Sequence, residues 1–311
     1  MSTRIGTLCV GLIGALQARL FASDFLERHH RSEKDFTRDR CLPFHKVVLF
    51  LLNLVKRSLQ DELDEFFKLE SGEDVASREV TKSAFSQARK KLHAGAFIEL
   101  NTLQVDYFYD HFLYRAWKGF RLLGVDGSTA QLLTTPDITD HFGLFDDSIP
   151  LARVSQMFDV LNDVTVDALI GPMAAGEREY ATCHFEKIGP GDLILQDRGY
   201  PAFWLFALIV SKDADFCARM PIGVWGVVDE FVASGLREQI VDVYPCASAI
   251  KECQARNLPT DPIKVRLLRI DLDDGESKCC LPRYWTSNAT PMPTSKTSTI
   301  NAGQSKKTTK W

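Results

Sequence analysis

Between Phe120 and Met220 the hydrophobic pattern switches period several times, and this stretch constrains the fold more than any other. "RLLGVD" is a short apolar run that reads as a buried strand; "RVSQMFDVLN" and "VTVDALIGPM" read as two more, joined through Asn162-Asp163. "EREYATCHFEKI" carries helical spacing, "DLILQD" returns to strand, and "PAFWLFALIVSK" reads as a helix opened by Pro201 at its first turn. "ADFCARM" makes a fifth strand. Three strands in a meander, then helix, strand, helix and strand, describe a mixed sheet covered by helices, an α/β (α+β) class.

The flanking segments differ. Residues 23 to about 120 read as helical: "KVVLFLLNLVKRSLQDELDEFFKL" keeps apolar residues on one continuous helical face. "VTKSAFSQARKKLHAGAFIEL" follows, with Thr81 or Ser83 as its N-cap and Arg89, Lys90 and Lys91 clustered on its later turns. That basic cluster suits either a phosphate backbone or a solvated face. Residues 222–278 revert to β character. "VVDEFVASG", "EQIVDVYP" and "IKVRLLRIDLDDGES" alternate apolar with polar residues, as in a small antiparallel insertion.

Charge and cysteine usage narrow the function classes. The net charge is −4, but the five basic residues after Cys280 have no acidic counterpart. Ahead of them 32 basic residues face 41 acidic ones, a charge of −9. So acidic a body argues against nucleic-acid binding over the whole surface and leaves room for local basic patches. The eight cysteines form no C-x-x-C pair and no zinc-spaced cluster with His, which suits reduced cytosolic thiols. "VVLFLLNLV" is too short to span a bilayer, and "TLCVGLIGAL" reads as a helix because no small-residue cleavage site follows it.

Two aspartates carry the chemistry. Asp126 closes "LLGVD" and opens "GSTA"; Asp197 closes "LILQ" and opens "RGYP". Each alone suits a turn or cap. Together they gain weight, because the first strand and the strand after the first helix tend to lie side by side, with their carboxyl ends at one crevice. Two carboxylates there, without a neighbouring Lys, repel each other unless they share a divalent cation. Oxygen-only ligands favour Mg²⁺ or Mn²⁺ over zinc, and such cations serve phosphoryl transfer. Glu177 and Glu179 flank Arg178 at a helix start, where acids suit the helix dipole. His184, beside Cys183 and Phe185, reads as a structural histidine. Arg198 and Tyr200 either touch DNA or close the turn.

"GVDGST" and "LILQDRGYPAFWLF", about seventy residues apart, resemble DDE transposases of the insertion-sequence four family. "DFTRDRCLPFHKVVLFLLNLVKRSLQDELDEFF" and "TKSAFSQARKKL" are similar to that family's N-terminal region, so the resemblance covers roughly residues 34–278. It implies an RNase H-like core over residues 119–221, split by a β-rich insertion at 222–278 and preceded by a helical DNA-binding region at 1–118. It also implies Mg²⁺-dependent cutting and joining of the double-stranded terminal repeats of a transposon, first by water and then by a 3′-hydroxyl. Asp126 and Asp197 would be two of three catalytic, metal-binding carboxylates, and Arg89, Lys90, Lys91 and Arg198 would contact DNA. The resemblance further allows a homodimer in a synaptic complex, working at the nucleoid in the cytoplasm without a membrane.

The family's third carboxylate lies on a later helix, in a Tyr-x-x-Arg-x-x-x-Glu-x-x-x-x-x-x-Lys signature. No Asp or Glu follows Glu276 here, and half of the residues from Thr286 to Trp311 are Ser, Thr or Asn. The genetic code offers a reason. When each shifted codon takes the third base of one codon and two bases of the next, Asn288 through Met292 permit Arg-Tyr-Pro-His. Ser298 through Trp311 permit Tyr-His-Gln-Arg-Trp-x-Ile-Glu-Glu-Asp-Tyr-Lys-Met, which contains Tyr-x-x-Arg-x-x-x-Glu. Residues 279–311 thus read as a disordered, out-of-frame tail, with the slip near Lys278-Cys279 and the third carboxylate lost. Two other readings stand beside this one. One is a non-catalytic DNA-binding remnant. The other is a metal-dependent nuclease completing its site with a different acid, such as Asp159 or Glu177.

Overall fold

A computed structural model describes residues 2–38, 41–53, 56–146, 148–271, 277–283 and 297–299. The chain forms two compact units, Met1–Phe112 and Leu113–Trp311.

The first unit is helical: α1 (Ser2–Leu20), α2 (Ser23–His29), α3 (Phe44–Leu52), α4 (Leu59–Ser71), α5 (Lys82–Arg89) and α6 (Gly95–His111). The apolar face expected to run continuously from Lys46 to Leu69 is broken. α3 ends at Leu52 with Asn53 as its C-cap, and Ser58 caps α4 by accepting from Asp61 N. Thr81 caps α5 as expected, accepting from Ala84 N at 3.2 Å. Phe25, Phe50, Leu63, Phe67 and Phe85 fill the core, with Phe50 and Phe85 edge to face at 4.5 Å. Among the described residues no single helix is long and apolar enough to cross a membrane; α1 and α2 pass that test only as a pair bent by 64°.

The second unit is a mixed α/β structure. Its strands are β1 (Tyr114–Ala116), β2 (Arg121–Gln131), β3 (Leu151–Asp159), β4 (Val164–Pro172), β5 (Asp192–Gln196), β6 (Asp215–Met220), β7 (Glu238–Val243), β8 (Ile263–Asp271), β9 (Ser277–Pro282) and β10 (Thr297–Thr299). Eight of them form one mixed sheet in the order β4-β3-β2-β5-β6-β9-β8-β7. The meander β2-β3-β4 is antiparallel, β2, β5 and β6 run parallel, and β9, β8 and β7 close the far side antiparallel. The helices are α7 (Pro136–Phe142), α8 (Glu177–His184), α9 (Phe203–Ser211), α10 (Gly226–Ala233) and α11 (Ala247–Ala255). Six of the nine residues of α9 are buried, and Phe206 stacks on Phe216 of β6 at 4.3 Å. Pro201 lies just before the Ala202 N-cap of α9 rather than in its first turn.

Three expectations need correction. Residues 222–278 are not β-rich alone, since they contain α10 and α11. "VVDEFVASG" is helical, burying Val228 and Phe231 three residues apart, and β7 and β8 extend the main sheet through β9. The β2 strand does not end at Asp126. It continues to Gln131 because β3 pairs with it over its whole length from Leu123. Nor does structure stop at residue 279: β9 pairs with β6 on one side and β8 on the other, burying Cys279 and Leu281. Arg283 N then donates to Phe216 O at 3.0 Å, and Thr297–Thr299 pair in parallel with β1. The rest of the expected tail, and the disorder expected of it, lies outside the described residues.

Candidate active site

The register of the parallel β2–β5 pair places the two aspartates. Arg121 stands opposite Asp192, and the last matched rung is Gly124 with Leu195. Asp126 and Asp197 follow that rung by two residues each. Side chains alternate along a strand, so Asp126 leaves the face of β2 that carries Gly124, and Asp197 follows directly on the end of the neighbouring strand β5. Beyond the rung β5 turns away, with Tyr200 N donating to Asp197 O at 3.0 Å, while β2 runs on beside β3 alone. The strands part at their carboxyl ends, the position at which open α/β sheets commonly bind ligands.

Both carboxylates are exposed. Asp126 accepts from Gly127 N at 2.8 Å. Asp197, with a side chain 64% exposed, is not without a cationic neighbour: Arg219 Nη1 on β6 reaches its Oδ1 at 3.1 Å. The expectation of a pair without a neighbouring Lys did not foresee this Arg. Its position follows from register, since Gln196 pairs with Ala218 and the next rung sets residue 197 beside 219.

Behind the aspartates lies a group built around Glu177, one of the acids expected as an alternative third carboxylate. Glu177, the first residue of α8, accepts from Arg153 of β3 at 2.6 Å. Its carboxylate oxygens lie 3.6 Å from the positions of a Cβ built on Gly127 and on Gly199, the glycines that follow the two aspartates. Tyr200 is buried there, and its hydroxyl has no hydrogen-bond partner among the described residues. Burial pushes its pKa well up, and the carboxylates of Glu177, Asp126 and Asp197 add to the rise, so the phenol stays neutral and cannot act as a base. Arg178 donates to the carbonyls of Gly199, Tyr200 and Pro201. A cleft of about 680 Å³ beside this group is lined by Arg153, Glu177, Arg178, Gly199, Trp204 and Arg256, among others.

The remaining candidates divide. Asp159 is fully buried at the end of β3 and accepts from Leu161 N and Asn162 N, so it shapes the β3–β4 turn and joins no site. His184 is structural, as expected. It bridges Ser155 at 3.0 Å and Asp167 at 2.7 Å, and Lys187 holds the other Asp167 oxygen at 2.6 Å. The order Ser-His-Asp is that of a hydrolase triad, but His184 is 0% and Ser155 1% exposed, so no substrate reaches them. Arg198 is exposed in the turn after Asp197. Arg89, Lys90 and Lys91 belong to the helical unit and are all exposed. Arg89 ends α5, Lys90 caps it, and Lys91, just past it, reaches Asp35 at 3.6 Å. They are clustered as expected, but the helix expected to run on to Leu100 ends at Arg89, so they sit at its C-terminus, a place where the dipole alone favours cations. All eight cysteines are free thiols. Among the described residues, no three His, Cys, Asp or Glu side chains are grouped as metal ligands.

No family model matches the chain, and no curated protein matches it. Among solved structures, the NurA nuclease from Sulfolobus solfataricus is similar over 55% of this chain and 69% of its own. The identity is 11% and the TM-score 0.27, a likeness that assigns neither fold nor activity.

Proposed function

We propose that this chain is a DDE transposase polypeptide with an RNase H-like core, one that has lost its third catalytic carboxylate to a change of reading frame. The observation that supports the reading is that Asp126 and Asp197 each follow by two residues the last matched rung of two neighbouring parallel strands. The donor set suits the expected ion. Mg²⁺ and Mn²⁺ take oxygen ligands, and Mg²⁺ keeps several waters beside one or two carboxylates, which two exposed aspartates allow. When bound, such an ion supplies charge neutralisation at the phosphate and an activated oxygen nucleophile. The chain's own part is to hold Asp126 and Asp197 in register, to release Asp197 from Arg219, and to offer Arg198 to the DNA strand.

The frame change itself is best placed after Pro282. An out-of-frame segment has no reason to bury residues such as Cys279 and Leu281 in register with two strands, as β9 does, which favours a slip between Pro282 and Asn288 on this reading. Double-stranded terminal repeats are the substrate on this reading, engaged by a homodimer at the nucleoid in the cytoplasm. Arg89, Lys90 and Lys91 then serve as phosphate contacts.

A second reading takes support from Glu177. Its closeness to both aspartate-bearing segments makes it the third acid a metal-dependent nuclease would need, but its pairing with Arg153 works against that role. The test of the main reading is DNA binding by the full chain. A duplex copied from the DNA flanking its own coding sequence should bind more tightly than an unrelated duplex of equal length at the same salt. Equal affinity for the two would count against a transposase.

A further inference from the structure

We propose that Arg178 is a positioning residue for Asp197, acting through the backbone of the turn that follows it; the inference rests on the metal-binding reading above. The turn after Asp197 leaves three consecutive carbonyls for side chains to satisfy. Arg178 Nε donates to Gly199 O at 3.2 Å and Tyr200 O at 3.1 Å, and Nη2 donates to Pro201 O at 3.2 Å. One planar guanidinium with donors in fixed directions can serve all three; a Lys ammonium on a flexible stem is a single point and cannot.

The clamp matters because its other end is fixed. Arg178 sits on α8 next to Glu177, which is tied to Arg153 of β3. Further along α8, the Tyr180 hydroxyl donates to Pro172 O at 3.1 Å, and His184 is locked between Ser155 and Asp167. The sheet thus holds α8, and α8 holds the turn. Asp197, Arg198 and Gly199 are themselves exposed, and the carboxylate's charged partner is Arg219. An arriving cation displaces that partner, leaving the turn's backbone to set where the Asp197 oxygens point. Groups that orient a metal ligand from outside typically change metal affinity by about 10–100-fold when lost.

The test uses the full chain, with MnCl₂ alone as the probe. Binding is measured for the wild type, Arg178→Gln, Arg178→Lys, and Arg256→Gln as a change in the same cleft that does not touch the turn. Asp126→Asn and Asp197→Asn define the site. Arg178→Gln should weaken Mn²⁺ binding about tenfold, Arg178→Lys should fall between it and the wild type, and Arg256→Gln should match the wild type. Amide hydrogen exchange should quicken in Arg178→Gln around Gly199 and Tyr200 and stay unchanged in β5, which separates a loosened turn from a misfolded chain. Wild-type affinity in Arg178→Gln, with Mn²⁺ binding still dependent on both aspartates, would overturn the positioning role alone. Mn²⁺ binding indifferent to Asp126 and Asp197 would overturn the metal reading and this inference with it.

Discussion

Arg121 and Asp192 face each other across the first rung of β2 and β5, joined by two hydrogen bonds of 2.7 and 2.8 Å; Asp126 stands five residues beyond Arg121 on β2, and Asp197 five beyond Asp192, just past the end of β5. A buried, bidentate pair thus fixes the register on which the site depends. Arg121→Leu leaves the Asp192 carboxylate buried without its cation and should destabilise the chain by about 3–5 kcal/mol, while Arg121→Leu with Asp192→Leu should cost far less. Urea unfolding of the single and double variants checks this. Equal losses in the two would show that the pair does not act as a unit.

Arg219 competes with any cation for Asp197. Arg219→Gln removes one positive charge from beside a largely exposed carboxylate, where a pair contributes about 1 kcal/mol or less. Mn²⁺ should therefore bind up to about fivefold more tightly to Arg219→Gln, as read by titration calorimetry. Weaker binding would mean that Arg219 orients Asp197 instead of competing for it.

The adjacency of β2 and β5 was legible because strand order follows from where helices interrupt short apolar runs. What Asp126 does locally was not. "VDGST" has turn chemistry, yet Gly127 stays in β2 because Ser155 pairs with it. "VVDEFVASG" fits both periods over so short a run, and only the burial of Val228 and Phe231 decides for helix. Arg178 left no signal at all: its acceptors are backbone carbonyls 21–23 residues away, which no side-chain pattern marks. Arg219 could have been placed beside Asp197 by counting rungs, once β5 and β6 were known to pair in parallel.

Replacing Arg89, Lys90 and Lys91 together by Ala should weaken DNA binding and flatten its salt dependence. Each lost phosphate contact lowers the slope of log K against log salt by about 0.9. Lys91 already has Asp35 near it, so the observed change should fall short of three full contacts. Fluorescence anisotropy across a salt series measures it. An unchanged slope would leave the cluster as a cap on the C-terminus of α5.

Asp167 gives the fold an acid limit. Burial favours the protonated carboxyl, but hydrogen bonds from His184 and Lys187 outweigh it and hold the pKa below its ordinary value. A depressed folded-state pKa stabilises the chain above the unfolded value, about 3.9, and that contribution is lost as pH falls through the lower folded value. Asp167→Asn should cost about 1–3 kcal/mol near neutrality and should shrink the loss of stability on acidification below about pH 4. Denaturation midpoints of both proteins across that range check the sign; parallel acid limbs would place the titrating group elsewhere.

The most direct measurement of the central claim is Mg²⁺-dependent cleavage of a plasmid carrying the coding sequence with its natural flanks. Three proteins are compared: the 311-residue chain, a chain returned to the alternative frame between Pro282 and Asn288 and extended through the rest of the element, and that restored chain with Asp197→Asn. In-line phosphoryl transfer depends on positioned and neutralised oxygens, so the restored chain should cut at the element's ends while the other two should not. Robust Mg²⁺-dependent end cleavage by the 311-residue chain, or by the restored chain without Asp197, would contradict the account.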